Sequence, residues 1–209
     1  FVGTAVLAAV FLGRAFTEER VPDEVPTAPG PASAASAPAL PELPGEISVR
    51  SLLREMVDLS AISRLPDPTY VAKAASSYDR RSSSPGDREG WFANDDWAST
   101  TRPNYLRVEE RAGRREYVLM DASGPGVLVR LWSASPAGML RFYFDGEAAP
   151  RIACPMQDLF QDRYPPFRKP LASQSSGGWY CYFPIPFARS LRIEVDDPKS
   201  MYYQVQYQQ

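Results

Sequence analysis

The sequence predicts an all-β fold, an antiparallel jelly-roll β-sandwich that follows a disordered linker and one N-terminal amphipathic helix. After residue 103, apolar side chains recur at every second position, the period of a strand with one buried face. Turn-forming pairs such as Asp145-Gly146 and Gly177-Gly178 separate these runs. The result is about eight short strands at hairpin-like spacing with no helical period between them, which is typical of a sandwich or jelly roll.

The composition limits both the size and the chemistry of the protein. The 209 residues are 44% hydrophobic, enough for one core of ordinary size. Lys and Arg number 23 against 25 Asp and Glu, so a net charge of −2 gives no general attraction to nucleic acid. The absence of histidine excludes Ser-His-Asp and Cys-His catalysis and histidine metal sites. Catalysis would need carboxylates, and we expect neither a cofactor nor a metal.

The first 44 residues predict export and a tether. Residues 1–13 are largely apolar, and the chain has no initiator methionine. This stretch is shorter than the ~20 residues that span a bilayer, so we interpret residues 1–20 as a truncated signal peptide or membrane anchor. The expected location is periplasmic, at the cell surface or extracellular, with a possible membrane tether. Residues 21–44 carry seven prolines and predict a linker, which leaves 45–209 as the folded domain.

One helix is expected near residues 48–60. Apolar residues fall at helical spacing, with charged residues on the opposite face. The helix should end before Pro66, because the residue preceding a proline avoids helical geometry. The apolar positions are Val49, Leu52, Leu53, Met56 and Val57.

The strand pattern then continues to the end of the chain. Gly124-Pro125-Gly126 indicates a tight entry into one strand rather than a phosphate loop. Trp132 and Trp179 lie in strand segments and favour core or sheet-face positions, and the spacing leaves open whether Cys154 and Cys181 are bridged or free. The alternating sets are Leu106 and Val108; Val118 and Met120; Val127, Val129 and Leu131 on one face; and the runs 140–144, 152–154, 180–182, 191–195 and 203–207.

Several ordered segments together resemble a known family. They include SLLREMVD, ASSYDR and GWFANDDW in the first half, followed by GPG, RLWS, RFYFDG, PIPF and YY. This set, over about residues 46–209, resembles the family called domain of unknown function 2961, which includes glycoside hydrolase family 172. The resemblance implies two jelly-roll domains in tandem, homo-oligomers that are trimers or hexamers, and action on fructofuranosides or arabinofuranosides. The chain would be the first of the two domains, and no catalytic residue is expected in it because the resemblance places the catalytic glutamates in the second.

The segment 76–97 is the candidate sugar site. Flat aromatic rings stack on the C–H faces of sugars, and Asp and Asn accept hydroxyl protons, so this mixture suits a furanoside pocket. The alternative is structural: an Asp79-Arg80 ion pair, core tryptophans and a capped turn. The predicted substrate-binding residues are Asp79, Arg80, Trp91, Phe92, Asn94, Asp95, Asp96 and Trp97.

The sequence therefore favours the N-terminal jelly-roll part of an exported furanoside hydrolase, contributing one wall of the sugar site and oligomer contacts. Its expected partners are a furanoside carbohydrate and further copies of the chain, without nucleic acid. Two alternatives stay open: a non-catalytic carbohydrate-binding module and a structural shell-forming β-sandwich protein. The fragment alone is expected to be inactive as an enzyme.

Overall fold

The computed structural model describes residues 46–67, 69–111 and 113–209. The predictions for residues 1–20 and 21–44 lie outside these residues. The helices are α1 Val49–Glu55 and α2 Met156–Phe160, with a 3-10 helix at Leu59–Ser63, and the strands are β1 Ala72–Ser76, β2 Arg107–Arg111, β3 Arg114–Ser123, β4 Gly126–Ala134, β5 Met139–Phe144, β6 Ile152–Pro155, β7 Ala172–Ser175, β8 Gly178–Cys181, β9 Ile185–Phe187, β10 Ser190–Asp196 and β11 Tyr202–Gln208.

The strands form two antiparallel sheets, which confirms the predicted sandwich. One sheet runs β1-β11-β4-β8-β7, with β9 also paired to β4, and the other runs β2-β3-β10-β5-β6. Successive strands such as β3 and β4, or β10 and β11, lie in opposite sheets. The chain therefore crosses repeatedly between the six-stranded and the five-stranded sheet, as in a jelly roll.

A single apolar layer lies between the sheets. Leu131 of β4 pairs with Val205 of β11 in the six-stranded sheet, and both are buried. In the five-stranded sheet, Phe142 of β5 pairs with Ile193 of β10, and both are fully buried. Alternation places these side chains on the inner faces, so the outer faces can carry polar residues.

The N-terminal helix is shorter than predicted. Helix α1 starts with a capping box, in which the Ser48 side chain accepts from the backbone N–H of Ser51 and Ser51 reciprocates. It ends at Glu55, and Asp58 then caps the 3-10 helix by accepting from the backbone N–H of Ser60. The prediction of one continuous helix over 48–60 is therefore wrong, because the Asp58 carboxylate starts a new helix. Neither of these two helices buries a side chain. Within the described part of the chain, no helix is long and apolar enough to cross a membrane.

The strand prediction missed three short strands and one change of face. Strands β1, β7 and β9 were not predicted, because their short sequences AKAAS, ASQS and IPF lack clear apolar alternation. In β4, Arg130 pairs with Gln206 and Leu128 with Tyr207, so the register shifts at Val129. The bulge places both Leu128 and Leu131 in the core. The prediction that they face opposite sides is therefore wrong.

The structure also explains the glycines around Pro125 and shows the state of the two cysteines. Gly124 and Gly126 lie against the ring of Phe187, where an added Cβ would come within 2.7 and 2.5 Å of ring carbons, so the glycines permit a close approach at the start of β4. Cys154 and Cys181 lie in opposite sheets and are free and buried. Burial raises the pKa of each thiol to about 12.

The outer face of the five-stranded sheet carries a buried pair of carboxyls. Glu116 of β3 and Glu194 of β10 are both fully buried, and their carboxyl groups interact with each other. Arg114 lies 3.0 Å from Glu116, and Arg192 pairs with Glu194. Burial, together with the neighbouring Glu116 carboxyl, raises the pKa of Glu194 to about 7. Burial opposes ionisation of Glu116 as well, but its interactions with the Glu194 carboxyl and the Arg114 guanidinium lower its pKa.

This pair predicts a pH-dependent stability. Because the pKa of Glu194 is raised from 4.5 to about 7, the folded protein holds this proton more tightly than the unfolded chain does. Its contribution to stability is complete below about pH 4.5 and is lost as the pH rises to about 7. We expect Glu194→Gln to raise the free energy of unfolding near pH 8 by about 1 kcal/mol. The free energy of unfolding, measured by urea melts between pH 4.5 and pH 8, should also depend less on pH in this variant than in the wild type.

The matched control is Glu116→Gln, which removes the carboxylate that Arg114 contacts and should lower stability at the same pH. If the stability of Glu194→Gln depends on pH as strongly as that of the wild type, the assignment of the raised pKa to Glu194 is contradicted.

Candidate functional site

The candidate site is an open cleft in the long connection between β1 and β2. It has a volume of about 300 Å³. Its lining residues come from both ends of this connection, which the chain brings together by folding back toward β11. They are Asp79, Arg80, Arg81, Asp95, Arg102 and Asn104.

Backbone bonds attach the connection to the sandwich. The backbone N–H of Ser77 donates to the carbonyl of Tyr203 (3.1 Å), and the Ser77 hydroxyl accepts from the Tyr203 N–H (3.2 Å). Further along, Ala98 and Met201 exchange backbone hydrogen bonds of 2.9 and 3.0 Å. The cleft therefore rests on the strand β11 and on the residues just before it.

Arg80 holds the two ends of the connection together. Its half-buried guanidinium donates to the carbonyl oxygens of Ser76 (2.9 Å) and Tyr105 (3.2 Å) and lies 4.0 Å from the ring centroid of Tyr78. A third bond reaches the carbonyl of Asn104 at 3.4 Å. The guanidinium is thus used by the protein's own backbone, and Arg80 contributes mainly to the shape of the cleft.

The buried carboxylate of Asp79 organises the floor of the cleft. It accepts from the backbone N–H of Arg81 (3.1 Å), from the Arg81 guanidinium and from the backbone N–H of Asp95 (3.1 Å). The backbone N–H of Asp79 in turn donates to the side chain of Asp96 at 2.9 Å. The hydrogen bond from Arg81 is the main reason why the pKa of Asp79 lies far below its usual range and that of Arg81 is raised.

Asp95 presents the accessible carboxylate. Its Oδ2 accepts from Arg81 (3.0 Å) and lies 2.8 Å from the Arg102 guanidinium, while half of the side chain remains exposed. Asn104 fixes the backbone beneath it, donating to the carbonyls of Asp95 (2.6 Å) and Trp97 (2.9 Å). Within the residues that the structure describes, Oδ1 of Asp95 has no hydrogen-bond partner. It can therefore accept a hydroxyl proton from a ligand.

Aromatic rings lie on the same connection. Trp91 is 41% exposed and Phe92 is 80% exposed, and the Ser82 hydroxyl donates to the Trp91 carbonyl at 2.9 Å. The ring of Trp97 lies 4.5 Å from the Arg102 guanidinium and so supports the arginine that contacts Asp95. Trp91 and Phe92 offer open ring faces, whereas Trp97 positions a cation.

Only some of the predicted site residues line the cleft. Asp79, Arg80 and Asp95 line the cleft, whereas the remaining five do not contribute to its lining. Among those five, Asn94 and Asp96 are exposed and Trp97 is partly exposed. Sequence reasoning missed Arg81, Arg102 and Asn104. Arg81 adjoins the predicted pair, but nothing in the spacing shows that the segment 102–104 returns to the carboxylates.

The groups that line the cleft are suited to binding a hydroxyl-rich ligand. Two arginines can donate to ligand oxygens, and the half-exposed Asp95 carboxylate can accept from hydroxyl groups. Glycoside hydrolysis requires two carboxyls placed on either side of the scissile bond, and the oxygens of Asp79 are occupied by Arg81 and the Asp95 backbone. Among the residues described, no cluster of three or more Cys, Asp or Glu side chains could hold a metal ion.

The fold and the cleft define a two-sheet β-sandwich domain with a polar site on a long connection. Within that class, the chain matches the family model of the GH172 first beta-sandwich domain over residues 68–209, more than half of its length. The chain therefore belongs to glycoside hydrolase family 172, and the predicted family resemblance is confirmed. A search of curated proteins found no match.

The geometry predicts that Asp79 stabilises the cleft. Replacing Asp79 by Ala removes the acceptor of the Arg81 and Asp95 backbone N–H groups. We expect faster hydrogen exchange at these two amides, with strand amides such as that of Ile193 unaffected. Replacing Asp95 by Ala is the matched control, since it leaves both amides bonded. Equal exchange in the two variants would contradict this role of Asp79.

Proposed function

We propose that the chain is the first domain of an exported glycoside hydrolase that acts on furanosides, and that its cleft forms one wall of the sugar site. Membership of GH172 supports a glycoside as the substrate, and the resemblance described above supports a fructofuranoside or an arabinofuranoside. The carrying observation is the Asp95 carboxylate, which two arginines hold in place while one oxygen stays free for a ligand.

The electrostatics of the cleft support recognition of a neutral polyol. The Asp79 and Asp95 carboxylates pair with Arg81 and Arg102, and Arg80 adds one further positive charge, so the cleft has no large excess of either charge. Sugar hydroxyls can both donate and accept, and the cleft offers a carboxylate oxygen and guanidinium N–H groups as their partners. The exposed ring of Trp91 lies on the same connection but outside the cleft lining, so it is available to stack on a sugar that extends beyond the cleft.

Calorimetric binding of short oligosaccharides to the chain tests this proposal. We expect arabinofuranosyl or fructofuranosyl oligosaccharides to bind, and Asp95→Ala to weaken binding about 10-fold or more, because a charge-assisted hydrogen bond contributes roughly 1.5–3 kcal/mol. The melting temperature should be nearly unchanged, since the side chain is half exposed.

Two controls define the result. Asp67→Ala alters an exposed carboxylate outside the cleft and should not affect binding. Xylo-oligosaccharides, built from pyranose rings, should bind more weakly than the furanosides. Binding that Asp95→Ala leaves intact would remove the cleft from the proposed function.

We also propose that the chain forms homo-oligomers through an N-terminal apolar surface. This surface consists of Val57, Leu59, Ile62 and Leu65, which are between 76% and 92% exposed. Contiguous exposed apolar patches are typical of protein contacts, and these four side chains lie within nine residues of the chain. Export rests on residues 1–20 and remains a prediction from the sequence.

The oligomer can be tested by light scattering after size exclusion. We expect the wild-type chain to have a multiple of its 23.2 kDa mass, and the double variant Leu59→Asp with Ile62→Asp to be a monomer. Leu106→Asp, at an exposed leucine outside this surface, is the control and should keep the oligomer. A monomeric wild-type chain at tens of micromolar would contradict the proposal.

A further inference from the structure

The two sheets differ sharply in the charge of their strands. The strands β2, β3, β5 and β10 of the five-stranded sheet carry arginines, and all but β5 also carry acidic residues. By contrast, the strands of the six-stranded sheet contain no Asp or Glu, and their only cations are Lys73 and Arg130. These strands therefore carry only two charges, both positive, among many uncharged polar side chains, which favours an uncharged, hydroxyl-rich ligand.

Aromatic and amide side chains share the outer face of this sheet. The register places Trp132 of β4 between Gln204 of β11 and Tyr180 of β8. Their strand neighbours Leu131, Tyr203 and Cys181 belong to the core, so alternation directs Trp132, Gln204 and Tyr180 outward.

Tyr182 and Arg130 extend this face beyond the row formed by Gln204, Trp132 and Tyr180. The rings of Tyr180 and Tyr182 have centroids 5.3 Å apart. The Arg130 guanidinium lies 6.0 Å from the Tyr182 ring and donates to the Gln204 side chain at 2.8 Å. Tyr182 is 41% exposed. We call Arg130, Trp132, Tyr180, Tyr182 and Gln204 the aromatic platform.

A glycine determines how the tryptophan lies. A Cβ at Gly178 would come within 2.3 Å of the indole nitrogen of Trp132, so the indole lies directly against the β8 backbone. The indole is therefore held close to the sheet surface. Around it, the hydroxyls of Tyr180 and Tyr182 make no hydrogen bond within the described residues, which leaves them available to a ligand.

We propose that the aromatic platform is a second carbohydrate site, separate from the cleft, that binds an extended, uncharged glycan chain. Rings held near a flat surface stack on sugar C–H faces, and the adjacent amide, guanidinium and phenol groups bond hydroxyls. The platform presents three aromatic rings with polar side chains beside them, so it can contact several sugars of a polymer at once. The choice of a glycan as occupant rests on the proposed function, whereas the position of the site does not depend on the cleft.

The experiment measures retention of the chain in native gels containing soluble arabinan or inulin. We expect the wild-type chain to be retarded by at least one of them, and Tyr182→Ala to raise the dissociation constant about 5-fold or more. Gln204→Ala should also weaken retention, while Tyr182→Phe should weaken it less than Tyr182→Ala does, because the ring remains and only the hydroxyl is lost. Tyr182 and Gln204 are solvent-facing, and circular dichroism melts verify that the variants fold.

The cleft and the platform can fail separately. Asp95→Ala should lose binding of short oligosaccharides but retain polymer binding if the platform is a site of its own. Polymer binding that Tyr182→Ala leaves unchanged, or no retention by either polymer, would overturn the platform. The proposal would also be overturned if Tyr182→Ala changed the oligomer mass but not the retention by polymers. That result would identify the aromatic platform as a contact between copies of the chain.

Discussion

The apolar layer between the two sheets is the constraint on which the rest of the structure depends. Every strand except β1 and β2 buries side chains in this layer, as the inner pairs Leu131 with Val205 and Phe142 with Ile193 show. Once the layer is filled, the outer faces are free to differ. The five-stranded sheet has an arginine and carboxyl network, and the six-stranded sheet has aromatic rings and amides. One core thus supports two surfaces of different chemistry.

The cleft depends on this layer through strand β11. Backbone bonds at Ser77 and Ala98 connect the β1–β2 connection to Tyr203 and Met201, and both Tyr203 and Met201 are buried. The Arg80 guanidinium bonds backbone carbonyls, and the Asp79 carboxylate bonds two backbone N–H groups and the Arg81 guanidinium, which leaves Asp95 as the accessible carboxylate. The residues that build such a site and those that face a ligand are therefore different residues, although they are neighbours in sequence.

The sequence predicts most of the fold, because strict alternation in runs such as 140–144 and 191–195 has a direct physical cause in burial of one strand face. It fails where that signal is weak or shifted: the strand β1 has little apolar content, and the bulge at Val129 changes the buried face of β4. The sequence also indicated some of the residues that line the candidate cleft, whose role in binding a sugar stays a prediction. Acidic and aromatic composition identified the segment, but the inward turn of Arg80 depends on backbone carbonyls, and the contact of Arg102 with Asp95 depends on tertiary folding.

The most direct test of the account is a crystal structure of the chain grown with an arabinofuranosyl or fructofuranosyl oligosaccharide. The account predicts a sugar in the cleft, with a hydroxyl donating to the free oxygen of Asp95 and the Arg81 or Arg102 guanidinium donating to a ring or hydroxyl oxygen. An oligosaccharide bound elsewhere, with the cleft occupied by solvent at saturating ligand, would contradict the assignment of the cleft as a wall of the sugar site.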